Sequence, residues 1–191
     1  MKTKIFKTLT IVNVLLLTGC SSFNKGIIPV QEMTPTTVSS MTGEYGITAV
    51  NEDSTAKVNW RYRNVYTELN RKLLKDTMDL DILRKYSFKI DVMNKDLIGI
   101  TYKMDGKNFR TQVFKTKLKK DGYLHLKNKN ARCILVPYVC GALDIKKVRL
   151  TLDENKNLIF DVYNHRSGAL MVVGFLDGKT RRYRKIYPRL I

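Results

Sequence analysis

Residues 86–102 read YSFKIDVMNKDLIGITY, and their period decides the fold. Tyr86, Phe88, Ile90 and Val92 alternate with Ser87, Lys89 and Asp91, which gives an extended chain one apolar face and one polar face. Ile98, Ile100 and Tyr102 repeat the pattern after Asn94-Lys95, so the stretch predicts two strands and a turn. The same period returns over 109–118 and 123–127, at Val148, Leu150 and Leu152 opposite Lys147, Arg149 and Thr151, and at Leu158, Phe160 and Val162. Turn signals separate these runs at Asn94-Lys95, Asp105-Gly106, Asp121-Gly122, 155–157 and Asp177-Gly178, and Asp-Gly favours short hairpins. Short strands without long helical crossovers predict a mainly β, antiparallel up-and-down meander, built as a barrel or a sandwich. Gly43-Glu44-Tyr45-Gly46-Ile47 is its expected first strand.

Between that strand and residue 86 the period is helical. Val58, Tyr62, Val65, Leu69 and Leu73 recur every three or four residues, which predicts one amphipathic helix near 55–75 with Asp53 or Ser54 as its cap, an α+β arrangement. Arg61, Arg63, Glu68, Arg71 and Lys72 fall mostly off the stripe and are expected on its wet side. Two runs lack alternation, ILVPYV at 134–139 and ALMVVGF at 169–175. Such runs are buried on two sides, or form an apolar contact surface.

The first residues, MKTKIFKTLTIVNVLLLTGCSSFN, carry a basic head of Lys2, Lys4 and Lys7, an apolar segment from Leu9 to Leu17, and small residues before Cys20. This is the pattern of a secretory signal, and the segment is far shorter than the roughly 20 residues of a membrane-spanning helix. Leu17-Thr18-Gly19-Cys20 resembles the lipobox of bacterial lipoproteins. That resemblance implies a lipid on the Cys20 sulfur and cleavage before it. The expected organisation is a signal peptide at 1–19, a lipidated cysteine and flexible tether at 20–41, and one β-rich domain at 42–191. Ser21 stands where an aspartate marks inner-membrane retention in enterobacterial lipoproteins, so the resemblance implies outer-membrane sorting.

The 191 residues include 35 Lys plus Arg and 17 Asp plus Glu, a formal charge of +18. Hydrophobic residues make up 43%, enough for a packed core and too many for a disordered polycation. The signal peptide takes three lysines and no acids with it, leaving +15. Residues 20–80 cancel at seven basic against seven acidic, while 81–191 hold 25 basic against ten acidic. The excess therefore belongs to the predicted sheet. Lys115, Lys117 and Lys119 share a face by their spacing, and Arg181, Arg182, Arg184 and Lys185 surround Tyr183. These seven are the candidate basic-surface residues, suited to anionic envelope lipid, lipopolysaccharide phosphate or an acidic envelope protein. Nucleic acid is the usual partner of such a patch, but export makes it a poor one here.

Catalytic and metal-binding signals are missing. Two histidines, His125 and His165, and three cysteines are too few for a multi-metal centre, and no cofactor is expected. No His-x-x-x-His, Gly-x-Ser-x-Gly or phosphate loop occurs. Cys133 and Cys140 are the candidate disulfide once Cys20 is lipidated. On one straight strand they stand too far apart, so a bridge needs a sharp bend at Pro137; two buried free thiols are the alternative.

With its lipobox, GEYGI at 43–47, the helix, DGYLHLK at 121–127 and ILVPYVCGALDIKKVRLTLDENKNLIFDV at 134–162, the chain resembles small lipoproteins of Bacteroidetes with no assigned biochemistry. The resemblance implies an envelope protein and names no reaction. Surface-exposed members of that group carry acidic residues after the lipid cysteine, whereas residues 21–25 here carry none, which implies a periplasm-facing protein. A one-helix barrel is also similar to lipocalins by analogy, though Gly43-Glu44-Tyr45 replaces their Gly-x-Trp. Two functions are expected of such a domain. One is holding an apolar or amphipathic ligand in a lumen lined by Phe88, Ile90, Ile100 and Phe160. The other is contact through a basic face that includes Lys115, Lys117, Arg182 and Arg184. Replacing Cys20 by Ser is expected to abolish incorporation of labelled fatty acid and leave the precursor uncleaved by the lipoprotein peptidase; continued labelling would refute the anchor.

Overall fold

The computed structural model describes residues 23, 31–50, 64–69, 80–81, 83–127, 130–136, 140–170 and 174–190. Among them are β1 (Gly43–Gly46), α1 (Val65–Leu69), β2 (Tyr86–Asn94), β3 (Leu97–Met104), β4 (Lys107–Leu118), β5 (Leu124–Leu126), β6 (Asn130–Val136), β7 (Cys140–Leu152), β8 (Leu158–Leu170) and β9 (Gly174–Tyr187). Every strand pairs antiparallel with its neighbour, in the order β1-β2-β3-β4-β5-β7-β8-β9, and β6 pairs with β7 off that path. The predicted meander is the fold. β5 and β6 lie end to end along one edge of β7, β5 against Arg149 and Leu150 and β6 from Lys146 to Cys140.

The two ends of this curled sheet meet. Gly46 N donates to Pro188 O at 2.9 Å, Leu190 N to Glu44 O at 2.7 Å, and Val50 N to Ile186 O at 2.8 Å, with an antiparallel bridge between Tyr45 and Arg189. The Arg189 guanidinium donates to Ser40 O at 3.0 Å, Thr42 O at 2.8 Å and the Tyr45 hydroxyl at 3.3 Å, and that hydroxyl donates to Met41 O at 2.9 Å. A Cβ on Gly46 would stand 3.0 Å from the Pro188 ring, so glycine permits the close approach.

Register then assigns the faces. Tyr45, Phe88, Tyr102, Ile90, Ile100, Leu124, Leu150, Phe160, Val148 and Val162 face inward and are buried. Tyr45 stacks on Phe88 at 5.6 Å, Phe88 meets Tyr187 edge-on at 5.5 Å, and Phe160 meets Tyr187 at 5.0 Å. This aromatic chain crosses the seam where the sheet ends join. Burial of Tyr45 pushes its hydroxyl pKa up to about 12, so it stays a neutral donor.

The turn chemistry holds at Asp105-Gly106, where φ values of 52° and 77° place both residues in the left-handed region that a tight hairpin requires. Asp177-Gly178 is different from the expectation. Both lie inside β9, where Arg166 faces Lys179 and Gly168 faces Leu176, so the dipeptide forms a β-bulge with two residues opposite one. The described parts of the unalternating runs sit at one end of the long strands, where Val136 faces Cys140, Cys140 faces Leu170, and Leu170 faces Gly174; residues 137–139 and 171–173 lie outside the described residues. Cys133 faces Leu143 and Cys140 faces Val136, so register sets the two cysteines three positions apart on neighbouring strands, and Pro137, the expected bend between them, lies outside the described residues.

Two segments depart from expectation. In the predicted helix, α1 is the described part; Asp53, Ser54, Val58, Tyr62 and Leu73 lie outside the described residues. Asn64 Oδ1 accepts the Thr67 N–H at 3.0 Å and supplies a cap. Glu68 is buried, not on a wet side, between the ammonium groups of Lys146 and Lys185. Residues 31–41, expected in the tether, are part of the domain: Met33, Val38 and Met41 are buried, Met33 N donates to Gly122 O at 2.9 Å, and the Thr151 hydroxyl donates to Gln31 O. Apolar side chains spaced along a Ser/Thr-rich segment were enough to dock it. Arg189→Met is expected to lower stability by about 2 kcal/mol, because three hydrogen bonds from a charged donor go and the buried Tyr45 hydroxyl loses a partner. Urea unfolding checks this, and an unchanged midpoint would show that the seam closes without the guanidinium.

Candidate functional site

The outward face of β4, β5, β7, β8 and β9 is assembled by register from residues far apart in sequence. Lys117 faces His125, His125 faces Arg149, Arg149 faces Asp161 and Asp161 faces Arg184, one row across five strands. A second row joins Lys147, Tyr163 and Arg182. Lys127 N donates to Lys115 O at 2.7 Å, which sets Lys115 and Lys127 beside the first row. Lys115, Lys117, Lys127, Lys147 and Arg182 are exposed here.

The centre of the patch is tied by charge. Asp161 is 2% exposed and is held by Arg184 Nε at 2.7 Å and Arg149 Nη2 at 3.3 Å. Arg149 Nη1 reaches Asp121 at 3.3 Å, and His125 Nε2 lies 2.8 Å from the same carboxylate oxygen. Burial pushes the His125 pKa below its ordinary value against the pull of Asp121, and its Nε2 is hydrogen-bonded to the Asp121 carboxylate. Burial raises the Asp121 pKa, and the His125 and Arg149 contacts outweigh it to hold the carboxyl below its ordinary value. Paired ions of this kind orient a surface; no nucleophile stands beside His125 among these contacts.

Phe23 lies on this patch. The Arg149 guanidinium sits between two rings, 4.5 Å from the Phe23 centroid and 3.7 Å from that of Tyr123. Phe23 also meets His125 edge-on at 5.5 Å and Tyr163 at 6.2 Å. Nothing in sequence marks a single phenylalanine in a Ser-rich segment as a docking residue. Arg149, His125 and Lys147 were equally hidden, because the two neighbouring rows that hold them exist only once strands pair.

The seven nominated cations divide. Lys115, Lys117 and Arg182 are exposed on the outer face, and Lys119 is exposed just past the end of β4. Arg184 is outward and committed to Asp161. Arg181 is exposed but pairs with Asn164 in the inward-facing register. Lys185 is no surface residue: it faces Phe160 in the inward register, is 5% exposed, and places Nζ 2.9 Å from Glu68 Oε1. Lys146 Nζ lies 2.7 Å from Glu68 Oε2, and the Tyr183 hydroxyl donates to that oxygen at 2.8 Å. Counting charges in a run could not separate Arg184 from Lys185, which the period of two sends to opposite sides.

The outward face of β1 to β3 carries cations beside carboxylates. Lys103 pairs with Glu44, which also accepts from Ser87, and Lys89 pairs with Asp91 at 2.6 Å. No described helix is long and apolar enough to cross a membrane. Fold and face together define a class: a mainly β, antiparallel, barrel-like protein with a basic outer surface. No family model matches the chain, and neither the curated proteins nor the solved structures contain a match.

Burial pushes the Glu68 pKa up, but the Lys146 and Lys185 ammonium groups override it and hold it below the 4.5 of a free glutamate. A depressed carboxyl contributes stability that is present above its unfolded pKa and lost as pH falls through the folded one. Glu68→Gln is expected to cost about 3 kcal/mol at pH 7, since two buried ammonium groups lose their shared carboxylate. The gap to the parent should shrink as pH falls below 4.5, and a gap independent of pH in urea unfolding would contradict the assignment.

Proposed function

We propose that this is a non-enzymatic, lipid-anchored protein of the bacterial envelope, held at the outer membrane on the periplasmic side, that acts through the basic outer face of its sheet against anionic envelope lipid, lipopolysaccharide or an acidic partner. The observation that carries the reading is the asymmetry of the sheet. The outer face built on β4 to β9 exposes Lys115, Lys117 and Lys127 together with Lys147 and Arg182, which lie over the Tyr163 ring, whereas on the outer face of β2 and β3 Lys89 and Lys103 stand beside the carboxylates of Asp91 and Glu44. The lipobox supplies the anchor and the compartment in this reading, and the resemblance to envelope lipoproteins supports it.

The other function expected of the fold, holding an apolar or amphipathic ligand, is the weaker reading. Phe88, Ile90, Ile100 and Phe160, the expected lining, are fully buried in one hydrophobic core with Tyr45 and Tyr187. A ligand there would displace packed side chains, at a cost of several kcal/mol.

Amine-reactive crosslinking in intact envelopes separates the two. Contact through the basic face predicts salt-sensitive adducts at Lys115, Lys117, Lys127 or Lys147, and no stoichiometric lipid in an organic extract of the purified domain. A stoichiometric apolar molecule in that extract, with no adducts on these lysines, would reverse the order.

A further inference from the structure

We propose that the outer face around Phe23 is a docking surface for the anionic phospholipid headgroups of the same leaflet that carries the lipid on Cys20, so that the barrel lies against its membrane with β5, β7 and β8 turned toward it. The proposal deepens the function given above and rests on its lipid anchor.

Two independent observations meet at this face. The first is where the chain arrives. Cys20 precedes Phe23 by three residues in sequence, a stretch that even fully extended spans no more than about 11 Å, so a lipid on Cys20 is tethered to this face by a very short piece of chain. Phe23 is itself held on the face by the Arg149 guanidinium and the rings of His125 and Tyr163. A long loose tether would have left the orientation of the barrel undefined. An anchor this close to a docked residue brings that one face to the bilayer surface.

The second observation is charge. The exposed cations Lys115, Lys117, Lys127, Lys147 and Arg182 lie to one side of the Phe23 contacts by strand register and outnumber the exposed carboxylates near them, Asp121, which is bound by His125 and Arg149, and Glu32, between Gln31 and Met33, whose backbone bonds to Thr151 and Gly122. Asp161 is buried beneath Arg149 and Arg184. Lysine stems lie along a lipid surface with their ammonium groups among phosphates, and a half-buried ring such as Phe23 suits the boundary between headgroup and acyl chain, while Tyr163 is buried beneath it. The face built on β1 to β3, where Glu44 and Asp91 accept Lys103 and Lys89, offers a phosphate surface no such excess.

The test uses the chain from residue 20 with Cys20→Ser, which carries no lipid, in co-sedimentation with phosphatidylcholine vesicles with and without phosphatidylglycerol. Binding is expected only with phosphatidylglycerol and is expected to fall as salt rises. Lys117→Glu combined with Lys147→Glu should weaken it by about tenfold or more. Lys85→Glu combined with Lys107→Glu, the same charge change at exposed positions off the face, should leave it within about twofold, with circular dichroism confirming that both variants fold. Absence of phosphatidylglycerol-dependent binding, or equal loss in both variants, overturns the docking surface. A protein crosslinked through Lys117 and Lys147 with no vesicle binding overturns it too and makes the face a protein interface. Failure of the parent chain to take up labelled fatty acid would instead count against the anchor, which the vesicle assay does not use.

Discussion

Everything in this structure depends on the seam where the first strand meets the last. β1 is only four residues long, yet its backbone bonds to Pro188 and Leu190, and Arg189 gathers the carbonyls of Ser40 and Thr42 with the Tyr45 hydroxyl. An open sheet would leave two edges and two wet faces. Joining the ends gives an inside and an outside. The aromatic chain from Tyr45 through Phe88 and Tyr187 to Phe160 fills the interior behind the seam, so closure and core packing support each other.

Once the inside is fixed, alternation sorts the charge. Arg184 and Lys185 are adjacent in sequence; one reaches outward to Asp161 and the other inward to Glu68. The inward carboxylate is shared by Lys146 and Lys185, with Tyr183 donating to it, a geometry that offsets the desolvation of the ions by many short contacts. The outward cluster of Asp121, His125, Arg149, Asp161 and Arg184 is similarly tied. The lysines around that largely buried cluster are exposed and present their charge to solvent. The proposal that they meet a phosphate surface follows from their sharing a face with Phe23, three residues after the proposed lipid site at Cys20.

The sequence made the fold legible because alternation over 86–102 and the Asp-Gly pair at 105–106 are local signals with local causes. Asp177-Gly178 carried the same signal and meant a bulge, because long-range pairing with β8 kept β9 continuous through it. Glu68 looked like a wet-side residue by helical period and is buried by two lysines from strands that no local pattern could place beside it. The candidate site was half legible. Lys115, Lys117 and Arg182 are on the face as expected, while Lys127, Lys147 and the Phe23 contact emerge only from register and packing.

The central claim concerns which face meets the membrane. Paramagnetic relaxation from gadolinium-labelled headgroups, measured on the backbone amides of the lipidated protein in a phospholipid bilayer disc, reads this directly and needs no substitution. The account predicts strong broadening at Lys117, Lys147, Tyr163 and Arg182 and little at Ser87, Lys89 and Thr101. Equal broadening on the two sides, or the reverse pattern, would contradict it.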